Sequence, residues 1–379
     1  MPESMLFTLR WVVFTVLFII VTSMALGQAA RLLTRLSGKT QTVQSRAFAG
    51  YAFAGPWIIG FVLFVVGPAA LSFYWSFTKY GLPDPPTWIG LDNYARLLSD
   101  ASFQVSLLNS LYMTIFGVPT QLFVGLLLAM LLNRALRGVR VFRMIFYLPV
   151  ILAGNAAMLL TWRLMLNPNN GVINTVLELI SRALPPFQWL MRAFIYVNEL
   201  TNAAFIGLQR GNLNNFYNVL NAGFPGPNRL PLWHQSPLWS KPALIIILAW
   251  SAGVMMVVYL AALKSVPAQL YEAAEVDGAT PWQRFRHITL PLITPATFYN
   301  LIVGMIATLQ IFEQSYILTR DGGPAQSTYF VAYYLWRATF RFNEIGYGAA
   351  MSWVLLLIIL IATAVQFRFA NRWVYYEAQ

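Results

Sequence analysis

The chain has 379 residues, 58% hydrophobic and only 10% charged; soluble domains carry roughly 25% charged residues, so this composition belongs to a membrane protein resident in a lipid bilayer. It contains no cysteine and two histidines, His234 and His287, which excludes disulfides, thiolate metal sites and a multi-histidine metal centre. The net charge of +12 is read as arginine at the ends of membrane-facing loops, where it sets topology, rather than as a nucleic-acid surface; neither metal nor cofactor is expected.

A span needs about 20 mostly apolar residues. Seven such runs follow one another: 6–28, 48–77, 107–133, 144–166, 242–263, 295–319 and 346–368. The residues opening the first run lack the positive region of a signal peptide, and Arg31, Arg35 and Lys39 follow it instead. A retained helix with its N-terminus outside is expected. Gly38-Lys39-Thr40 would need glycine where Leu33 stands, and a preceding strand, to cradle phosphate. It therefore reads as part of a basic cytoplasmic linker. The segment 167–241 is long for a loop, and its apolar part, Phe187 to Gln209, is interrupted by Arg192, Asn198, Glu199 and Asn202. A charge at mid-bilayer costs roughly 2.5–3.5 kcal/mol, so this part is expected to be an interfacial amphipathic helix. Segments 31–46, 134–143, 264–294 and the tail after 367 hold 13 of the 25 Lys and Arg in about 70 residues. The other side holds 11 over about 140 residues. The denser side is cytoplasmic, and 167–241 is extracytoplasmic.

The cytoplasmic stretch Tyr271 to Pro295 reads as helix, sharp turn, helix. Ser265 and Pro267 can open the first helix, and Ala273 and Ala274 favour it while presenting little bulk. Asp277-Gly278 is a turn signal. Thr280, Pro281 and Gln283 then stand as N-cap, N1 and N3 of the second helix.

The order Glu272-Ala273-Ala274, three residues, Gly278, nine residues, Ile288-x-Leu290-Pro291 resembles the EAA loop of permease subunits of bacterial ATP-binding-cassette importers. Further stretches resemble the carbohydrate-uptake group of that family, the maltose- and glycerol-phosphate-type permeases. They are Trp88 to Tyr94, Phe142-Arg143 with Phe146 to Pro149, Trp162-Arg163 with Asn167-Pro168 and Gly171 to Asn174, and Leu318-Thr319 with Gly322-Gly323-Pro324, Phe340 and Gly346 to Met351. The resemblance implies an all-α polytopic membrane protein with a six-helix permease core at 47–372. To it are added an extra N-terminal transmembrane helix and linker at 1–46, the extracytoplasmic insertion 167–241, the cytoplasmic coupling loop 264–294 and a tail at 373–379. It further implies a multi-pass protein of the bacterial cytoplasmic (inner) membrane. Its partners would be a separate ATPase docked on Glu272, Ala273, Ala274, Asp277, Gly278, Ile288, Leu290 and Pro291, a second and different permease chain, and an extracytoplasmic solute-binding protein. The chain itself would be no enzyme.

Candidates to line a sugar pathway are Asn155, Trp250, Tyr259, Gln310, Glu313 and Tyr316, because sugar hydroxyls bond to amides and carboxylates while ring C–H faces pack on aromatics. The same residue types also serve as interfacial anchors and helix ties. Two alternatives stand beside a sugar permease: an importer permease for another solute, and an ion-driven carrier. The latter would be expected to show buried acids or broken helices at mid-membrane.

Overall fold

The computed structural model describes residues 3–133, 138–153, 156–226 and 229–375. Its first two helices, α1 (Glu3–Leu36) and α2 (Gln41–Phe61), form a hairpin. Much of the stretch expected as a linker is therefore helical; the chain reverses at Ser37–Thr40, with Gly38 at φ +67°. Small residues set the contact between the two helices. Ser23 is buried, and a Cβ at Gly55 would meet its side chain at 2.5 Å. Such close backbone approach drives helix pairing where no hydrophobic effect operates. α2 continues through a π-turn at Val62–Val66 into α3 (Gly67–Ser76), giving an apolar stretch of 36 residues, Gln41–Ser76.

A short antiparallel hairpin, β1 (Thr78–Gly81) with β2 (Asp84–Trp88), follows and adds a strand pair to the expected all-helical fold. α4 (Asp92–Ser99) packs back on it, and the Asn93 Nδ2 donates to the carbonyls of Ser76 and Thr78, both at 2.9 Å, where α3 ends. α5 (Ala101–Tyr112) runs through a π-turn at Met113–Gly117 into α6 (Val118–Asn133). The expected span 144–166 falls on α7 (Val139–Ala153) and α8 (Ala156–Met165).

The insertion contains α9 (Val172–Ala183), α10 (Pro185–Arg210) and α11 (Asn214–Ala222). Of the two charges that argue against a span here, Arg192 and Glu199, Glu199 is buried. It pairs with Arg229 at 2.8 Å and accepts from the Trp239 indole at 3.1 Å, clipping α10 to the loop before the next span. Glu199→Ala leaves the indole without its acceptor and the half-exposed Arg229 without its partner. The expected loss is about 2 kcal/mol, the scale of hydrogen bonds to a charged group and below that of breaking a fully buried pair because Arg229 is half-exposed, read as a lowered Tm of the solubilised protein.

The remaining helices are α12 (Ser240–Trp250), α13 (Gly253–Ser265), α14 (Ala268–Val276), α15 (Pro281–Arg284), α16 (Leu290–Leu292), α17 (Thr294–Leu309), α18 (Val331–Trp336) and α19 (Ile345–Ala370). The expected span 242–263 is not straight; it breaks between α12 and α13 with a bend of 44°. A second bend, of 62°, lies where Pro281–Leu292, in the loop expected at 264–294, meets α17. The second bend has a plain cause: Pro291 and Pro295 both lack the N–H that a continuous ladder needs, and the Thr294 hydroxyl donates to the Pro291 carbonyl at 2.6 Å instead. The run expected at 295–319 is α17 only as far as Leu309; a separate π-helical turn, Gln314–Thr319, follows a break. Among the described residues, four helices are long and apolar enough to cross a membrane, or six segments if each bent pair is one span. Lys241, counted as an external charge, is fully buried instead, its ammonium 3.2 Å from Asn109 Oδ1 and about 5 Å from the Tyr112 and Phe205 rings.

Candidate functional site: an exposed hairpin joined to a membrane cleft

The hairpin begins at Ala268, after Pro267; Ser265 closes α13 rather than opening α14, its hydroxyl donating to the Ala262 carbonyl at 2.8 Å. α14 ends at Val276, and the chain reverses at Asp277-Gly278 with Gly278 at φ +75°. Thr280 caps α15 in both directions: its Oγ1 accepts from the Gln283 backbone N–H at 3.3 Å, and the Gln283 Oε1 accepts from the Thr280 N–H at 2.7 Å. That reciprocal pair satisfies two otherwise orphaned donors. Two cross-links fix the arms, a 2.8 Å hydrogen bond between the Tyr271 and Thr289 hydroxyls and a 3.2 Å ion pair from Arg284 to Glu275.

Between the arms lies an open depression of about 330 Å³ lined by Ala274, Asp277, Gly278, Gln283, His287 and Ile288, among others. Glu272 and Ala273 are exposed beside it, and Leu290 is also exposed at the start of the turn that carries Pro291. The structure thus brings Ala274, Asp277, Gly278 and Ile288 into one concave surface. Two residues outside the sequence-derived set share this end of the hairpin: Val276, 88% exposed, and Trp282, 65% exposed. Large apolar side chains on a solvent-facing turn mark a contact surface. Their signal in the sequence was an apolar residue on each side of Asp277-Gly278.

Within the membrane, the α12–α13 break and the break after α17 face one cleft. It holds about 460 Å³ and is lined by Gln121, Ser251, Thr308, Gln310, Phe312 and Glu313, among others. The two breaks supply these groups: Ser251 stands at the α12–α13 bend, while Gln310 and Glu313 stand where the helix expected at 295–319 stops. Thr308 donates within its own helix and shares a 3.1 Å hydroxyl contact with Thr114 on the facing π-turn. Of the pathway candidates, Gln310 and Glu313 meet here, and Tyr316 lies one helical turn onward, exposed. Trp250 and Tyr259 do not line the cleft: the Trp250 ring packs edge-on against Trp162 at 5.5 Å, and Tyr259 is buried among Met255, Met256, Leu260 and Leu263. Asn155 lies outside the described residues.

One bent stretch of chain connects the hairpin to the cleft. From Pro281 the chain passes through the 62° bend into α17, whose far end delivers Gln310 to the cleft. α17 is tied in turn to α13 by the Asn300 Nδ2, which donates to the Met255 carbonyl at 3.2 Å. Intramembrane amides commonly make such ties.

Residues 106–375 match the family model described as binding-protein-dependent transport system inner membrane component. The chain is 34% identical over 343 residues to the probable ABC transporter permease protein YesP of Bacillus subtilis (strain 168), covering 90% of this chain and 96% of the relative. It is 32% identical over 309 residues to the sulfoquinovosyl glycerol transport system permease protein SmoG of Agrobacterium fabrum (strain C58 / ATCC 33970), covering 81% and 85% of the two chains. In structure it resembles a chain of a bacterial alginate ABC transporter in complex with alginate pentasaccharide-bound periplasmic protein, with a TM-score of 0.62 and 23% identity over 86% of this chain and 95% of that one, a likeness of fold. Broken helices therefore do not indicate an ion-driven carrier here; the apolar helices describe a multi-pass membrane protein, and the comparisons describe one of a binding-protein-dependent ABC system. The chain belongs to the family of inner membrane components of binding-protein-dependent transport systems.

Proposed function

We propose that this protein is one permease subunit of an importer for saccharides in the bacterial inner membrane, working with a second permease chain, an ATPase and an extracytoplasmic binding protein. The observation that carries the reading is the continuity from hairpin to cleft. A cross-linked, exposed helix–turn–helix leads through the 62° bend directly into the helix that ends at Gln310. Movement of an ATPase surface seated on Glu272, Ala273, Ala274, Asp277, Gly278, Ile288, Leu290 and Pro291 would reach the cleft through α17. The saccharide class is supported by the relatives' named cargoes, a sulfoquinovosyl glycerol and an alginate. It is also supported by the cleft's chemistry, since Gln121, Gln310 and Glu313 offer the amides and carboxylate that bind hydroxyls. The domain limits retained in this reading are 1–46 for the N-terminal helix and linker, 47–372 for the core and 373–379 for the tail.

Purification from the native membrane tests the assembly. An ATPase, a second permease and a binding protein should co-purify, and ATP hydrolysis should rise with the loaded binding protein. A chain that purifies alone and carries solute without ATP would overturn the reading. Sidedness is tested separately, because the chain has no cysteine of its own. A cysteine replacing Asn212, exposed after α10, should react with an impermeant maleimide in spheroplasts; one replacing Gln283 should react only after lysis. The reverse pattern would place the hairpin outside.

A further inference from the structure

A file of aromatic rings leaves the mouth of the cleft. Phe312, which lines the cleft, stacks on Tyr316 with ring centroids 5.6 Å apart and planes 14° from parallel. Tyr316 meets Trp336 edge-on at 5.0 Å, and Trp336 meets Phe340 at 6.2 Å. Tyr333, buried, backs the first two rings, and the Arg341 guanidinium lies 5.8 Å over the Trp336 ring. The file crosses from the turn after α17 to the end of α18 and the turn beyond it, so it is assembled from two separated stretches of chain. Its outer members are not packed away: Tyr316 is 41% and Phe340 71% exposed.

Aromatic rings packed only for stability are buried, and interfacial anchors are spread around the membrane boundary. These rings instead form one line that begins at the cleft and ends at the exposed ring of Phe340. The C–H faces of a pyranose pack on an aromatic face while its hydroxyl rim stays hydrated. Each step between neighbouring rings is about the length of one sugar unit in a chain. An open file of partly exposed rings gives many weak, exchangeable contacts, which suits passage better than retention.

We propose that Phe312, Tyr316, Trp336 and Phe340 form a track along which an oligosaccharide of pyranose units enters the cleft, one ring following another. The proposal rests on the saccharide reading above and adds chain length to it: a molecule of several linked rings engages several rungs at once, whereas a monosaccharide engages one.

The test uses the complete transporter, with its own ATPase, second permease and binding protein, in proteoliposomes. Mono-, di-, tri- and tetrasaccharides of the malto-, xylo- and alginate series are the probes. Trp336→Leu and Phe340→Ala are compared with the ring-retaining Trp336→Phe and Phe340→Tyr. Tri- and tetrasaccharide uptake should fall about tenfold in the ring-removing variants, equivalent to about 1.4 kcal/mol, while mono- and disaccharide uptake changes by less than about twofold. The ring-retaining variants should restore the longer sugars. An equal loss at every length, or none at any length, overturns the track and leaves the saccharide reading standing; so does a wild-type complex that carries only monosaccharides. A wild-type complex that carries none of the saccharides overturns both.

Discussion

Gly278→Val is expected to leave membrane insertion and assembly intact and to abolish the stimulation of ATP hydrolysis by loaded binding protein, with solute uptake falling to background. The physical basis is narrow. Gly278 sits at φ +75°, a region that a β-branched residue enters only at a cost of about 1–3 kcal/mol. Nothing lies within 4 Å of where a Cβ would stand, so steric collision makes no contribution and the whole effect comes through the backbone. The turn is exposed and remote from the spans, so the chain relieves the strain locally by reopening the angle between α14 and α15. That displaces Val276 and Trp282 relative to each other and opens the depression lined by Ala274, Gln283 and Ile288. Asparagine visits the left-handed region far more readily than valine, so Gly278→Asn should retain most of the coupling. The measurement is substrate-stimulated ATPase activity of reconstituted complex with each variant. Full stimulation with valine would show that the hairpin is a mere linker. Equal loss with valine and asparagine would place the effect in the lost hydrogen side chain rather than in φ.

The hairpin was legible because its determinants are local. Capping by Thr280 and Gln283, proline at N1 and a glycine after aspartate act over a few residues, and the structure shows each of them. The bends were not legible for the opposite reason. The run 242–263 averages as apolar, and hydropathy alone passes over Ser251 and Gly253, the small residues that stand at the bend. Pro291 and Pro295 carry a signal for one bend that the expected spans did not use, and the break beyond Leu309 has no proline or glycine within it. Burial across the fold was harder still. Lys241 belongs by charge to an external loop and by structure to an aromatic cage completed by Tyr112 and Phe205, far apart in sequence. Trp250 and Tyr259 have the chemistry of pathway residues, and only their packing partners, Trp162 and the α13 methionines, show that they face the interior. Gln310 and Glu313 stand three residues apart, a spacing that would share one face of a continuous helix as well; the end of α17 at Leu309, which hydropathy does not mark, is what sets them at a break lining the cleft.

Asp100→Asn is expected to loosen the end of the bundle where α5, α18 and α19 meet, and the loss should depend on pH. Asp100 joins three elements through four hydrogen bonds. Its Oδ1 accepts from the Ser102 and Phe103 N–H groups at 2.8 and 3.3 Å, capping α5, and its Oδ2 accepts from the Tyr334 and Tyr347 hydroxyls at 2.5 and 2.6 Å, holding α18 and α19. Beside it Arg96 makes a two-point contact with Glu344, both at 3.0 Å, and lies 4.0 Å over the Tyr347 ring. Burial pushes the Asp100 carboxyl up, but the hydrogen bonds from Tyr334, Tyr347, Phe103 and Ser102 outweigh it and hold the group below its ordinary value of 3.8. A carboxylate held below its unfolded value adds stability that is complete above that value and is lost as pH falls through the folded one. Asparagine keeps one acceptor oxygen and turns an NH₂ toward groups that can only donate to a carboxylate there. The expected cost near neutral pH is about 2 kcal/mol, the scale of hydrogen bonds to a charged group. Thermal unfolding of solubilised complex, scanned at one fixed rate from pH 7 to pH 3, should show the variant several degrees below the wild type at neutral pH. The two curves should converge below about pH 4 as the wild-type carboxylate takes up its proton. Parallel curves across the whole range would show that the ionised carboxylate contributes nothing beyond its shape, and that the clasp on α18 and α19 is held by packing of Tyr334 and Tyr347 alone.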